Sequence, residues 1–255
     1  MSISTKVVTL QYLENEIAVI NMEDRENKNT FSPQFVKDLL SVFAEVNNNS
    51  YIKAVVIHGY DHYFCCGGTY TDLFDIHDGK KVFTDYGSYQ LFLDCPVPII
   101  AAMQGHALGV GLVLGTYADI LVMAEEAFYS ANFMKYGFTP GFGATYFLPK
   151  KLGVVAAEAM MFDGKNHQGA QLKDWGVDAI FTRQQNVIDE ALIIAKKITR
   201  RTRKEIILLK RQLTQEDKLK MPMIIEQEVA MQSISFKQPE VKERINRLYI
   251  NANPR

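Results

Sequence analysis

Short apolar runs alternate with segments of helical spacing along the first two thirds of the chain, and helical spacing alone fills the rest. Val7 to Tyr12 and Ile17 to Met22 predict two strands joined by a polar Glu-Asn-Glu turn. Ser32-Pro33 predicts a helix start, with Phe35, Leu39, Leu40 and Phe43 on one face and Asn47-Asn48-Asn49 at the end. Ala54 to His58 is a third strand, and residues 71–93 predict a loop leading to a helix over 86–93. Val97 to Met103 is almost wholly apolar, as a buried parallel strand should be. Further short strands are predicted at Ile120 to Met123, Phe128 to Ser130 and Val177 to Phe181, with helices at Val154 to Phe162 and Gln168 to Trp175. Residues 136–149 predict a glycine-containing loop and a helix. From Gln185 to Leu248 the spacing is helical, with breaks expected near Thr202, Pro222 and Pro239. Strands alternating with helices, then a helical tail, predict an α/β core with a helical C-terminal part. No linker, repeat or low-complexity segment divides it.

Two glycine turns stand out in this pattern. Gly105 closes the central apolar strand, and Gly109 and Gly111 open an apolar run of helical length. A buried helix begun this way presents free backbone N–H groups at its positive end. No lysine, arginine or acid lies between Val97 and Tyr117, so backbone amides would hold any negative charge that develops there. The second turn, Tyr63-Phe64-Cys65-Cys66-Gly67-Gly68-Thr69, follows the strand at Ala54 to His58 and can present its own N–H groups. Two such turns can converge on one oxygen.

Composition narrows the classes. With 255 residues, 47% of them hydrophobic, the chain can bury a full core. Its 28 basic and 29 acidic residues are spread evenly, which leaves no footprint for nucleic acid or a membrane surface. Lys196 to Lys204 is a local basic patch, read either as a solvated helix end or as a contact for an acidic carrier or a phosphate. Three cysteines make neither a disulfide framework nor a metal site. The first residues lack a signal-peptide apolar region, and no apolar run approaches membrane length, so a soluble, cytoplasmic protein is expected.

The motif order resembles that of the crotonase, or enoyl-CoA hydratase/isomerase, superfamily. The motifs are Phe64-Cys-Cys-Gly-Gly68, then Pro98-Ile-Ile-Ala-Ala-Met-Gln-Gly-His-Ala-Leu-Gly-Val-Gly111, then Gly137-Phe-Thr-Pro-Gly-Phe-Gly-Ala-Thr145. The match runs from about Val7 to Leu248. The resemblance implies a spiral of ββα units over residues 1–200, and C-terminal helices over 201–255 that build a homotrimer. It also implies an oxyanion hole made by the N–H groups of Gly68 and Val110, in a pocket shared with Cys66, Gly67, Gly109 and His106.

The family's hydratases place two glutamates at positions that fall here on Val113 and Phe133, neither of which can transfer a proton. Loss of CO2 from a carboxylate conjugated to a thioester needs no general base, only electron withdrawal, a dry pocket and one returning proton. The stretches Gly79-Lys80, Asp94-Cys95, Ile100 to His106 and Asn132 to Pro140 resemble the crotonase-like decarboxylases of polyketide β-branching. That branch places its catalytic lysine on Lys80. It also carries a histidine on a C-terminal helix, whereas this chain has none after His167. Ala230 is read as the histidine's place, by divergence or by engineering, with Gln232 as second choice.

Other residues have simpler readings. His106 is a packed, hydrogen-bonded histidine and Cys66 a small apolar residue, while His58 and His62 are assigned no chemistry. His77 is structural or a modulator of Lys80, and Tyr86 and Tyr89 are candidates for supporting Lys80. The function expected is decarboxylation of a 3-methylglutaconyl-type thioester to a 3-methylcrotonyl-type one. The substrate would ride on the phosphopantetheine of an acyl carrier protein, with no metal or other cofactor, and a separate dehydratase would act one step earlier. An enoyl-thioester isomerase or a catalytically silent crotonase-like binding protein are the alternatives.

Overall fold

A computed structural model describes residues 6–82 and 89–252, with the backbone alone for Tyr89 and residues 250–252. The strands form two sheets, and of the second sheet the sequence predicts only Phe128 to Ser130. The first has six strands in the order β1 (Val8–Leu13), β2 (Ile17–Met22), β3 (Ala54–His58), β5 (Ile99–Met103), β7 (Ile120–Ala124) and β10 (Ile180–Thr182). β1 and β2 pair antiparallel and the rest are parallel. β5 is fully buried along its length, as its uninterrupted apolar run requires.

The second sheet orders β4 (Tyr63–Cys65), β6 (His106–Leu108), β8 (Phe128–Ser130) and β9 (His167–Gln168). Its first three strands each follow a strand of the large sheet, and a helix comes next. The repeat is thus β3-β4-α2 (Tyr70–His77), β5-β6-α4 (Val110–Thr116) and β7-β8-α5 (Ala144–Leu152). Stacked ββα units are the architecture the resemblance implied. The units approach closely: a Cβ on Gly111 would lie 2.1 Å from the Cys65 carbonyl oxygen. The remaining helices are α1 (Pro33–Asn48), α3 (Tyr89–Asp94), α6 (Val154–Asp163), α7 (Gly169–Asp174), α8 (Val187–Ile198), α9 (Arg203–Ser235) and α10 (Pro239–Ala252).

Several sequence expectations are corrected. α1 starts on Ser32, whose hydroxyl accepts from the Phe35 N–H, but Leu40 is exposed and Val42 and Val46 fill the inner face instead. α2 replaces the first part of the expected loop, because Thr69 caps it by accepting from the Asp72 N–H. β6 occupies part of what read as a bare glycine turn. α9 runs through Pro222 without a break. Pro222 and Lys218 are both exposed, so the turn that proline leaves one hydrogen bond short lies on the outer face of the helix. Among the described residues no helix is long and apolar enough to cross a membrane.

Three buried polar contacts tie α9 to the core. Lys210 Nζ bonds both oxygens of Asp119 at 2.7 and 2.6 Å. Asp217 accepts from the Tyr146 hydroxyl at 2.8 Å and from Lys150. Glu228, 2% exposed, accepts from the N–H of Gly143 at 2.6 Å and from the N–H and hydroxyl of Thr145 at 2.8 and 2.6 Å. Burial nevertheless pushes the Glu228 carboxyl above its ordinary range. The folded state therefore holds that proton more tightly than the unfolded chain. The associated stability is full below the unfolded pKa and declines as pH rises through the folded one. Glu228→Gln should flatten that decline in urea unfolding across a pH series. It should also cost about 1–3 kcal/mol, because an amide cannot accept from both the Gly143 and Thr145 sides.

Candidate active site

The second sheet builds the site. β4 and β6 are parallel neighbours, with Tyr63 opposite His106 and Cys65 opposite Ala107. That register carries Gly67 and Gly68, which follow β4, alongside Gly109 and Val110, which follow β6. Gly67 (φ +90°) and Gly109 (φ +55°, ψ −126°) hold backbone conformations that disfavour a side chain.

Hydrogen bonds orient the two critical peptide groups. The Gly67 carbonyl accepts from the Phe31 N–H at 2.8 Å. In a trans peptide the N–H points opposite to the C=O, so the Gly68 N–H is turned away from Phe31. The Gly109 carbonyl accepts from the N–H groups of Leu112 (3.1 Å) and Val113 (3.3 Å), which turns the Val110 N–H out from the start of α4. Among the described residues neither the Gly68 nor the Val110 N–H is engaged by a backbone carbonyl. Gly68 and Val110 line one small cavity of about 40 Å³, together with Cys66, Gly67, Gly109 and Phe133.

Leu73, Leu108, Asn132, Tyr136, Phe138 and Tyr249 complete that cavity and were not read from the sequence. Tyr249 comes from α10 and donates to the Gly68 carbonyl at 3.2 Å, so the C-terminal helix steadies the first turn. Only its distance along the chain hid it. No carboxylate lines the cavity among the described residues. Cys66 opens both into it and into an outer cleft of about 690 Å³ that includes Lys28, Tyr70 and His106. Burial pushes the Cys66 thiol up to about 12, so it stays protonated at neutral pH and is no nucleophile. His106 lines the outer cleft rather than the inner cavity. Its Nδ1 accepts from the Phe128 N–H at 3.0 Å, and burial lowers its pKa, as suits a neutral packed imidazole.

The remaining sequence candidates are more scattered. Val113 is fully buried in α4 and its side chain does not line the cavity; it serves the site through its N–H. Lys80 is exposed and its ammonium lies 3.2 Å from Asp78. Its neighbour Lys81 turns inward, 2.7 Å from Asp72, whose side chain is 5% exposed. Ala230 is exposed and is not among the residues lining either cavity. The buried stripe of α9 runs through Met221, Ile225, Glu228 and Gln232, and Ala230 falls off it. Gln232, the second choice, is 4% exposed, and its amide donates to the Thr139 carbonyl at 3.3 Å. Tyr86 and the Tyr89 side chain lie outside the described residues.

His77 bonds Asp78 rather than either lysine, at 3.1 Å. The basic patch sits elsewhere. Lys53 reaches the Thr199 carbonyl and Arg203 the Ile52 carbonyl, which fixes the patch near the start of β3, at the opposite end from the glycine turn. Among the described residues no group of three His, Cys, Asp or Glu side chains is placed to hold a metal ion.

The family model for enoyl-CoA hydratase/isomerase matches residues 13–250. The chain belongs to the enoyl-CoA hydratase/isomerase family. Within that family it is 42% identical over 245 residues to the bacillaene synthase decarboxylase PksI of Bacillus subtilis (strain 168), covering 96% of this chain and 98% of that one. Its fold matches a solved structure of a dehydratase/decarboxylase enzyme couple involved in polyketide β-branching, with a TM-score of 0.94 and 42% identity over 95% of this chain and 99% of the other. It also matches the ECH2 decarboxylase domain of CurF from Lyngbya majuscula, with a TM-score of 0.92 and 37% identity over 96% and 100% of the two chains. A probable enoyl-CoA hydratase of the same Bacillus strain is 26% identical over 68% of this chain and 69% of its own. The family is thus shared with hydratases, while the high-identity relatives are decarboxylases.

Proposed function

We propose that this protein decarboxylates a 3-methylglutaconyl-type thioester carried by an acyl carrier protein, in the β-branching of a polyketide. The observation that carries this reading is a cavity with two free, oriented N–H groups and no carboxylate. Such a cavity polarises a thioester carbonyl and offers no acid–base pair for hydration. The 42% identity to a decarboxylase over nearly the whole chain supports the same reaction.

In this reaction the carbon–carbon bond to the distal carboxylate breaks, and its electron pair moves through the double bond onto the thioester oxygen. CO2 leaves, and the dienolate then takes one proton on carbon. The Gly68 and Val110 N–H groups bind the developing oxyanion. Lys80 holds the carboxylate or returns the proton, and Gln232 is the polar group of α9 that lines the cavity shared by its neighbours Gly79 and Lys81. α2 has eight residues and is therefore about 12 Å long, so Lys80 stands one helix length from the oxyanion turn. An extended acyl chain and a lysine side chain together span such a gap. A carrier's phosphopantetheine arm fits the outer cleft, and an earlier dehydratase supplies the conjugated substrate. Exposed Leu208, Leu209, Leu213, Leu219 and Met223 on α9 support a homotrimer, and a cytoplasmic location accords with the reading.

Carrier-bound 3-methylglutaconyl thioester, incubated with the protein and followed by mass spectrometry, should lose the mass of CO2. A product of unchanged mass with a moved double bond would make the protein an isomerase. Unreacted substrate would leave only a binding role.

A further inference from the structure

Two cavities lie along α2. The oxyanion cavity is at its N-terminal end, against Leu73. A second cavity of about 170 Å³ lies at its C-terminal end, lined by Ile76, Lys81, Val229, Gln232 and Phe236. Phe138 faces the first and Phe236 the second, and the two rings stack with centroids 4.3 Å apart and planes 15° apart. Both rings are almost wholly buried. The stacked pair is the wall between the cavities.

The oxyanion cavity holds little more than one water, whose share of liquid volume is about 30 Å³. It can take a thioester carbonyl but not a branched dicarboxylic acyl group. The outer cleft shares Cys66, Leu108, Asn132, Tyr136 and Tyr249 with it, so the sulfur and its carrier arm enter from that side. The acyl end must then point the other way, onto Phe138 and the cavity behind it. That cavity is apolar at Ile76, Val229 and Phe236, and its polar lining is His77, Lys81, Gln232, Ser233 and Lys237.

We propose that Phe236 is the specificity-determining partition of the acyl pocket. Its ring turns off Phe138 when substrate binds, the two cavities join, and the space released sets how large a β-substituent the site takes. The inference rests on the site being one for acyl thioesters, but not on the decarboxylation itself. Phe236 directly follows the last residue of α9, and its N–H donates to the Gln232 carbonyl at 2.9 Å.

Saturated 3-methylglutaryl- and 3-propylglutaryl-pantetheine thioesters test this by calorimetry, since they form no dienolate and cannot lose CO2. Wild type should bind the methyl compound and discriminate against the propyl one. Each methylene in an apolar pocket is worth about 10-fold or more. Phe236→Ala should cut that discrimination by at least about 10-fold, and Phe236→Leu by less, both with wild-type circular dichroism. If Phe236→Ala does not fold, Phe236→Leu decides. An unchanged propyl-to-methyl ratio in the folded variants overturns the partition, and so does a wild type that binds neither compound. Wild-type binding without CO2 release from the unsaturated substrate would instead overturn the decarboxylase reading and leave the partition standing or falling on the ratio.

Discussion

Gly67→Ala should lower kcat by about 10²–10³-fold while leaving the fold intact, the loss measured when one donor of an oxyanion hole is removed. A Cβ on Gly67 would lie 2.7 Å from the Leu108 carbonyl oxygen, and Leu108 belongs to the opposite turn. The methyl is therefore a wedge between the two turns whose amides must converge. Backbone cannot yield as a flexible side chain does, so the Gly68 and Val110 N–H groups must separate. Alanine at a φ of +90° also strains the backbone, at a cost of order 1–3 kcal/mol, and that part needs a control. Gly176→Ala supplies it: φ there is +77°, and nothing lies within 4 Å of the added carbon. It should lose stability without losing kcat. A Gly67→Ala enzyme with wild-type turnover would mean that the two turns do not form the hole.

Lys80→Ala should lower CO2 release by about 10²–10⁴-fold, the usual worth of general acid–base participation, with little change in unfolding midpoint. The Lys80 side chain is 64% exposed and pairs with Asp78 and Asp75, whose side chains are 35% and 26% exposed, so its removal strands no fully buried charge. Lys81→Ala should lower the unfolding midpoint instead. It takes the cation from Asp72, whose side chain is 5% exposed and accepts from the Thr69 hydroxyl at 2.5 Å beside the Gly68 turn. Urea midpoints and single-turnover CO2 release, measured on both variants, separate the two roles. Collapse of the rate in Lys81→Ala with a near-normal Lys80→Ala would transfer the catalytic assignment to Lys81.

The two lysines also mark how far the sequence could be read. Adjacent residues past a glycine differ in direction by the local backbone, and no residue pattern says which of them turns inward. The same holds for Ala230 and Gln232. Their spacing puts them on different faces of α9, but which face is buried depended on the contacts of Glu228 with the loop at Gly143 and Thr145. The aromatic wall of Phe138 and Phe236 joins residues nearly a hundred positions apart, and Tyr249 reaches Gly68 across 181 positions. α2 was missed for another reason: its mixed polarity hides a helix that Thr69 starts and a partly buried surface tolerates.

By itself the sequence determined the strands of the large sheet, the glycine turns at Gly67-Gly68 and at Gly109 to Gly111, and the absence of charged residues between Val97 and Tyr117. Those features are local, because apolar run length sets a parallel strand and only glycine holds the φ of Gly67 and Gly109. Only the tertiary structure decided that the turns face one cavity, since the parallel register of β4 on β6 is a pairing between distant segments. It also decided which polar side chains approach that cavity and what divides it from the space behind. Side-chain direction at loop ends and on long helices follows from what packs against them, and that partner is never adjacent in the chain.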